Sequence, residues 1–188
     1  MLSNKHNNKK VLAVGRLCKQ KGFDSLIKIW QKLPSELKSI WHLDIVGEGQ
    51  DKEELKSLIK EYELEDSISL KGHTSDIEKE YKSHQIFCFP SRYEGFPLAL
   101  LEAMSHSMPC VAFNCPCGPA DLIENGQTGF LIPLGDFDLF KETLISLMND
   151  SNLQKHIGDM AYKNISKNYN EDTIMEKWIS LFSEVITA

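Results

Sequence analysis

The chain has 188 residues, 41% hydrophobic and 26% charged, which suits one globular domain of about 150 residues with short extensions and excludes both wholesale disorder and two full-sized domains. Twenty-seven acidic against 21 basic residues leave a formal charge of −6; a broad cationic face for nucleic acid is therefore not expected, and any anion must be bound locally. No apolar run approaches the roughly 20 residues of a membrane helix, and the polar stretch 1–10 lacks the apolar core of a signal peptide, so the chain reads as cytoplasmic behind a polar tail.

Short β-branched runs alternate with amphipathic stretches, the pattern of repeated βαβ units. Val11–Val14 reads as a buried strand, followed by a loop from Gly15 to Gly22 and a helix from about Asp24 to Leu33, stopped by Pro34. Trp41–Val46 is a second strand, and Asp51–Tyr62 a charged helix with Leu55, Leu58 and Ile59 on its apolar side. Ser67–Leu70, Ile86–Phe89, Cys110–Phe113 and Gly129–Ile132 supply four further strands, the second of them fully apolar and so central. Helical segments fall at Asp76–Tyr81, Pro97–Ser105, Pro119–Glu124, Phe137–Met148, Leu153–Asn168 and Asp172–Ile186. The fold class is α/β: a Rossmann-like, three-layer α/β/α domain on a parallel sheet of about six strands, with ligands expected at the strands' carboxyl ends. In the last helix Met175, Trp178, Ile179, Phe182 and Ile186 form one stripe, which either faces this domain's own core or packs on another.

Five cysteines, at 18, 88, 110, 115 and 117, are odd in number and sit mostly in apolar contexts, which suits reduced thiols. Cys115-Pro-Cys117 has no second Cys/His pair near it and reads as a loop with small thiols rather than a metal site.

Two loops carry charge suited to chemistry. Gly15-Arg-Leu-Cys-Lys-Gln-Lys-Gly22 sets Arg16 and Lys21 between a strand and a helix N-terminus, where free amides already favour anions; phosphate is the natural guest. Lys19 reads as a solvated cation. The second loop, Pro90-Ser-Arg-Tyr-Glu-Gly-Phe-Pro97, opens a helix that places Glu102 among apolar residues, eight positions after Glu94. Eight helical residues span about 12 Å, wider than either spacing of a glycosidase carboxylate pair. The two acids therefore suit opposite ends of one elongated ligand.

Five segments in order carry a resemblance: Val14-Gly-Arg-Leu with Lys21-Gly-Phe; Ile45-Val-Gly-Glu-Gly49; Leu70-Lys-Gly72; Phe89-Pro-Ser-Arg-Tyr-Glu-Gly-Phe-Pro-Leu-Ala-Leu-Leu-Glu-Ala-Met104; and Gly118-Pro-Ala-Asp-Leu-Ile-Glu-Asn-Gly-Gln-Thr-Gly-Phe-Leu131. From about Val11 to Asp150 the chain resembles the carboxyl-terminal, donor-binding domain of the retaining group 1 glycosyltransferases, which have the two-domain GT-B architecture. The resemblance implies that Arg16 and Lys21 neutralise a donor diphosphate and that Glu94 contacts hydroxyls of the transferred sugar, making these three the catalytic set. It implies Glu102 on the nucleotide ribose, the amides of Gly95, Phe96, Leu98 and Ala99 on sugar or phosphate oxygens, and the base near Lys71, Gly72 and His73, with Gly15 in the donor loop; His73 suits a solvated loop position equally well. It also implies no metal or other cofactor, a UDP-hexose type of donor, and a glycan or lipid-linked acceptor held by a missing amino-terminal domain, with the full-length enzyme at the inner face of the membrane. On this reading residues 11–170 are the donor domain and 171–188 a helix packing across to the missing one. The chain is then half an enzyme, inactive alone, or a non-catalytic module docking on a separate acceptor-binding subunit; a nucleotide-sugar epimerase lacks the Glu94/Glu102 motif. Two residues depart from the family pattern: Pro97 and Ser107 stand where glycine is usual.

Overall fold

The computed structural model describes residues 9–187, without the side chains of residues 184, 186 and 187. Strand β1 (Lys9–Val14) leads through a single 3₁₀ turn at Lys19–Lys21 into α1 (Phe23–Gln31) and a one-turn α2 (Ser35–Lys38). Strand β2 (Trp41–Val46), α3 (Lys52–Glu61), β3 (Ile68–Gly72), α4 (Ile77–Ser83) and β4 (Ile86–Phe89) follow. The second half runs α5 (Leu98–Ser105), β5 (Cys110–Asn114), α6 (Pro119–Leu122), β6 (Phe130–Pro133), α7 (Phe137–Asn149), α8 (Ser151–Asn168) and α9 (Glu171–Thr187). Strand β1 begins two residues inside the expected tail, because Lys9 and Lys10 pair with Trp41 and His42 of β2; the rest of that tail lies outside the described residues. Helix α1 ends at Gln31, two residues before the expected Leu33, and Pro34 caps the one-turn α2.

All six strands are parallel, in the order β3-β2-β1-β4-β5-β6. Alternate residues of each strand face opposite layers, which produces two cores. On one side Val11, Ala13, Leu43, Ile45, Cys88, Val111 and Phe113 pack under α1, α3 and α7 through Leu26, Trp30, Leu55, Ile59, Phe140 and Leu144. On the other, Leu12, Phe87, Phe89 and Ala112 meet Tyr81 of α4, Leu100 and Met104 of α5, and Ala161 and Ile165 of α8. Strand β4, buried along its whole length, occupies the centre as its apolar sequence predicts. The chain leaves β1 toward one edge and returns at β4 toward the other, so the crevice between their carboxyl ends is the topological switch point where open α/β sheets take ligands.

The stripe on α9 does not face this core. Met175, Trp178, Ile179 and Phe182 are about half exposed, with Trp178 and Phe182 stacked on each other at 5.5 Å; the Ile186 side chain falls outside the described ones. Among the described residues no helix is long and apolar enough to cross a membrane.

Candidate functional site

The two charged loops meet at the switch point. Lys21 closes the 3₁₀ turn after β1, Glu94 stands in the turn after β4, and Lys21 Nζ donates to Glu94 Oε1 at 2.7 Å. Seventy-three residues separate them in sequence, yet the pair is among the best shielded in the fold, with 17% of the lysine and 5% of the glutamate side chain exposed. The Phe89 ring lies under the ammonium, 5.8 Å from it.

Several contacts lock these loops in register. Gly22 has a left-handed backbone, and a Cβ there would sit 2.1 Å from the carbonyl oxygen of Pro90, so only glycine allows this approach. The Arg92 guanidinium donates twice to Asp24, at 2.9 and 2.8 Å, once to Ser25 Oγ at 3.0 Å, and to the Lys19 carbonyl. The Arg92 amide donates to the Gln20 carbonyl at 2.8 Å, and Gln20 returns a hydrogen bond to the Tyr93 carbonyl. Burial opposes ionisation of Asp24, but the hydrogen bonds and charge of Arg92, with Lys28 behind, hold its carboxyl below the ordinary range.

Beyond Glu94 the chain turns into α5 and leaves backbone donors uncovered. The amides of Gly95, Phe96 and Ala99 have no partner among the described residues, and they precede or begin a helix whose dipole adds partial positive charge there. Leu98 departs from expectation: its amide closes a tight turn onto the Phe96 carbonyl at 3.0 Å, around Pro97 at φ −86° and ψ 68°, and is already spent. Pro97 begins no helix either but caps α5, packed so closely that a Cβ on Gly118 would fall 2.3 Å from its Cδ.

Arg16 follows β1, exposed and without an ion-pair partner among the described residues. It borders a cavity of about 470 Å³ lined also by Val14, Gly15, Val46, Glu48, His73 and Ile77. Gly72 ends β3 beside that cavity, its carbonyl accepting from the Gly47 amide at 2.9 Å. His73 is exposed on the wall, its Nδ1 3.1 Å from the Thr74 carbonyl oxygen. Lys71 instead turns to the sheet face, 4.0 Å from Asp44. Glu102 projects from α5 toward α4, where Tyr81 donates its phenolic proton to Oε2 at 2.8 Å; Ile77, one turn earlier on α4, lines the cavity. Arg16, Gly15 and His73 thus share one cleft; Lys21, its side chain 3.3 Å from where a Cβ on Gly15 would stand, adjoins that cleft with its partner Glu94, and Glu102 is linked to it through Tyr81 and Ile77 of α4 without being one of its lining residues.

Two groups have metal-ligand composition, and both are committed elsewhere. Asp44, Glu80 and His84 lie close together, but Asp44 faces His84 Nε2 at 3.0 Å and Lys10 at 3.4 Å, while His84 Nδ1 meets the Glu80 carbonyl at 2.6 Å. Burial opposes ionisation of Asp44, yet His84, Lys71 and Lys10 keep its carboxyl low: this is a buried ion network. Asp136-Phe-Asp138 is an Asp-x-Asp pair; Asp136 caps α7 through the Leu139 amide and Asp138 pairs with Lys141. Cys115 is buried next to Glu94, and burial with that carboxylate pushes its thiol up to about 11; Cys117 is exposed, and all five cysteines are free.

Residues that sequence reasoning passed over are Tyr81 and Arg92. The signal for Arg92 lies in its place two residues before Glu94 in the same loop; for Tyr81 the sequence offers only a lone aromatic residue in the short polar segment that forms α4.

Residues 2–164 match the family described as glycosyl transferases group 1. An uncharacterized glycosyltransferase of Haemophilus influenzae is 38% identical over 174 residues, covering 93% of this chain and 49% of that protein. The amylovoran biosynthesis glycosyltransferase AmsD of Erwinia amylovora is 37% identical over 90% of this chain and 46% of its own length. The chain therefore spans about half of each. Among solved structures, a variant of Staphylococcus aureus TarM in complex with UDP superposes with a TM-score of 0.88 at 30% identity, over 96% of this chain and 36% of TarM.

Proposed function

The chain belongs to the group 1 glycosyltransferases, whose GT-B domain fold it has, and on that premise we propose that it is the donor-binding half of a retaining enzyme. The enzyme transfers a hexose-type sugar from a nucleoside diphosphate, UDP in this reading, to a saccharide or lipid-linked acceptor in glycan assembly. The observation that carries the proposal is the convergence at one switch point of Lys21, Glu94 and three unengaged amides of the Gly95–Ala99 segment, beside a cavity bordered by Arg16.

The chemistry follows from charge. Breaking the anomeric bond leaves growing negative charge on the diphosphate. Cations and amides fixed before the reaction stabilise that charge more in the transition state than in the ground state. Lys21 and Arg16 are the cations, Gly95, Phe96 and Ala99 the amide donors, and Glu94, an acceptor only, takes sugar hydroxyls. The base lies in the cavity by Gly15, Gly72 and His73, and Glu102 takes the ribose. The reading is metal-independent because these charges do the neutralising, and the Asp-x-Asp pair at Asp136 and Asp138 is engaged in capping α7 and in pairing with Lys141. The acceptor hydroxyl attacks on the face the diphosphate leaves, so no protein nucleophile is needed. A UDP complex of TarM, similar over nearly the whole of this chain, supports the choice of nucleotide.

The exposed apolar side of α9 supports a further part of the reading: it packs across to an acceptor-binding half, without which these 188 residues do not turn over. The same face serves the alternative, a non-catalytic module docked on a separate acceptor-binding subunit; co-purification with a short partner of that kind separates the two. Localisation at the inner face of the membrane follows from a lipid-linked acceptor.

Calorimetric titration tests the core of this. Wild type is expected to bind UDP or a UDP-sugar saturably, and Lys21→Ala and Arg16→Ala each to weaken it at least about tenfold, the loss of one charge-assisted hydrogen bond to phosphate. Absence of binding by wild type to UDP, GDP and their sugars, or unchanged affinity in both variants, sinks the assignment.

A further inference from the structure

Glu102 is an exposed glutamate on α5, and an exposed glutamate ordinarily samples several rotamers. Here one oxygen is fixed from below. The Tyr81 side chain is 2% exposed, and its ring is held between His106, stacked at 5.1 Å and 24°, and Phe87 at 6.0 Å. Its hydroxyl has two acceptors within range, the Ala99 carbonyl at 3.4 Å and Glu102 Oε2 at 2.8 Å. A phenol has one proton, which goes to the nearer, charged acceptor. That leaves Oε1, and the remaining lone pairs of Oε2, for donors outside the protein.

We propose that Tyr81 is a positioning residue for nucleotide recognition: it orients the Glu102 carboxylate so that its open edge accepts from the ribose hydroxyls of the donor. This rests on the reading of Glu102 as the ribose contact. Ile77, one helical turn before Tyr81, lines the cavity assigned to the base, so α4 sets both the wall beside the base and the angle of the carboxylate. Burial, with the Glu102 charge beside it, drives the phenol's pKa far above the ordinary tyrosine value, so the hydroxyl is a proton donor throughout the working pH range. A ribose diol is the matching ligand chemistry, since a carboxylate pinned on one oxygen accepts from vicinal hydroxyls without further reorganisation.

The experiment compares UDP with 2′-deoxy-UDP by calorimetry on the 188-residue chain, as wild type, Tyr81→Phe, Glu102→Gln and the double variant. Tyr81→Phe keeps the ring and its packing, and a thermal melt checks each fold. Wild type is expected to favour UDP about tenfold or more, the loss of one hydrogen bond to a charged group. Tyr81→Phe reduces that preference to about threefold or less while leaving the affinity for 2′-deoxy-UDP nearly unchanged, a split that a merely structural lesion does not produce. The double variant discriminates no worse than Glu102→Gln alone, because Tyr81 acts only through that carboxylate. A Tyr81→Phe chain that retains the wild-type ratio, or a double variant that loses more than Glu102→Gln, overturns the proposal. Wild type that binds UDP without preference over its deoxy form overturns the ribose assignment and the proposal with it; wild type that binds neither overturns the donor-site reading beneath both.

Discussion

Arg92 is the residue through which the two site loops hold each other, and its removal has a calculable effect. Arg92→Ala deletes the paired hydrogen bonds to Asp24, the bond to Ser25 and the bond to the Lys19 carbonyl. Hydrogen bonds between charged groups contribute about 1.5–3 kcal/mol each when shielded. The guanidinium side chain keeps 36% of its surface exposed, so solvent screens it, while Asp24 at 19% is left partly buried without a partner. A net loss of about 2 kcal/mol is expected, which in a chain of this size lowers the melting temperature by about 4–8 °C. The pH dependence carries a definite sign. The Asp24 pKa is lowered in the folded state, so the stabilisation is complete above the unfolded value of about 3.9 and disappears as pH falls through the folded one. Melts of wild type, Arg92→Ala, Asp24→Ala and the double variant at pH 7, and then below pH 4, measure this directly. The expected pattern is a large coupling at neutral pH that shrinks in acid. A variant melting within about 1 °C of wild type at pH 7 refutes the reasoning, and so does a deficit of constant size across the acid range.

Glu94→Gln removes a negative charge next to the proposed diphosphate while keeping an acceptor oxygen, so it is expected to tighten bare UDP and weaken a UDP-hexose; titrating both ligands against one preparation checks the crossover. Ser107 is held at φ +58°, in the left-handed position that closes the Schellman turn after α5 through the Ser107 and Met108 amides. Ser107→Gly relieves that strain and is expected to add about 0.5–1 kcal/mol of stability, read as an upward shift in the denaturant midpoint.

That left-handed turn explains one family departure and marks where sequence reading stopped. Glycine is usual at 107 because the cap demands a positive φ, which no hydrophobic periodicity reveals. Strand and helix order was legible because each strand of this parallel sheet carries a short, mostly apolar stretch with glycine or proline at or near one end, and β4 is apolar and buried along its whole length. The start of β1 was not, since Lys9 and Lys10 are polar and become strand only through a neighbour 32 residues away. In the site, Lys21 and Glu94 were legible from residue type and loop context. Their direct pairing was not, because it depends on the close approach of Gly22 to Pro90 and on Arg92. Tyr81 stayed hidden because α4 is too short to display a period, and the spent amide of Leu98 because proline at 97 permits a turn that a motif does not encode.

On the donor reading, a chain with a formal charge of −6 has to attract a doubly charged diphosphate. The structure divides that task unequally between its two cations. Lys21 is paired with Glu94, and together they present little net charge, so the lysine contributes fixed geometry and hydrogen bonds more than long-range attraction. Arg16 has no ion-pair partner among the described residues and stands exposed at the cavity edge, where its charge is felt before contact; the unengaged amides of Gly95, Phe96 and Ala99 add to it at close range. Attraction therefore comes from one side of the cleft and exact placement from the other. The carboxylate on the placing side matters as much as the ammonium: it opposes a bare phosphate and rewards a phosphate that arrives carrying hydroxyls. Within the donor reading, the ion pair at the switch point is thus the element that separates a nucleotide-sugar from the nucleotide left after transfer.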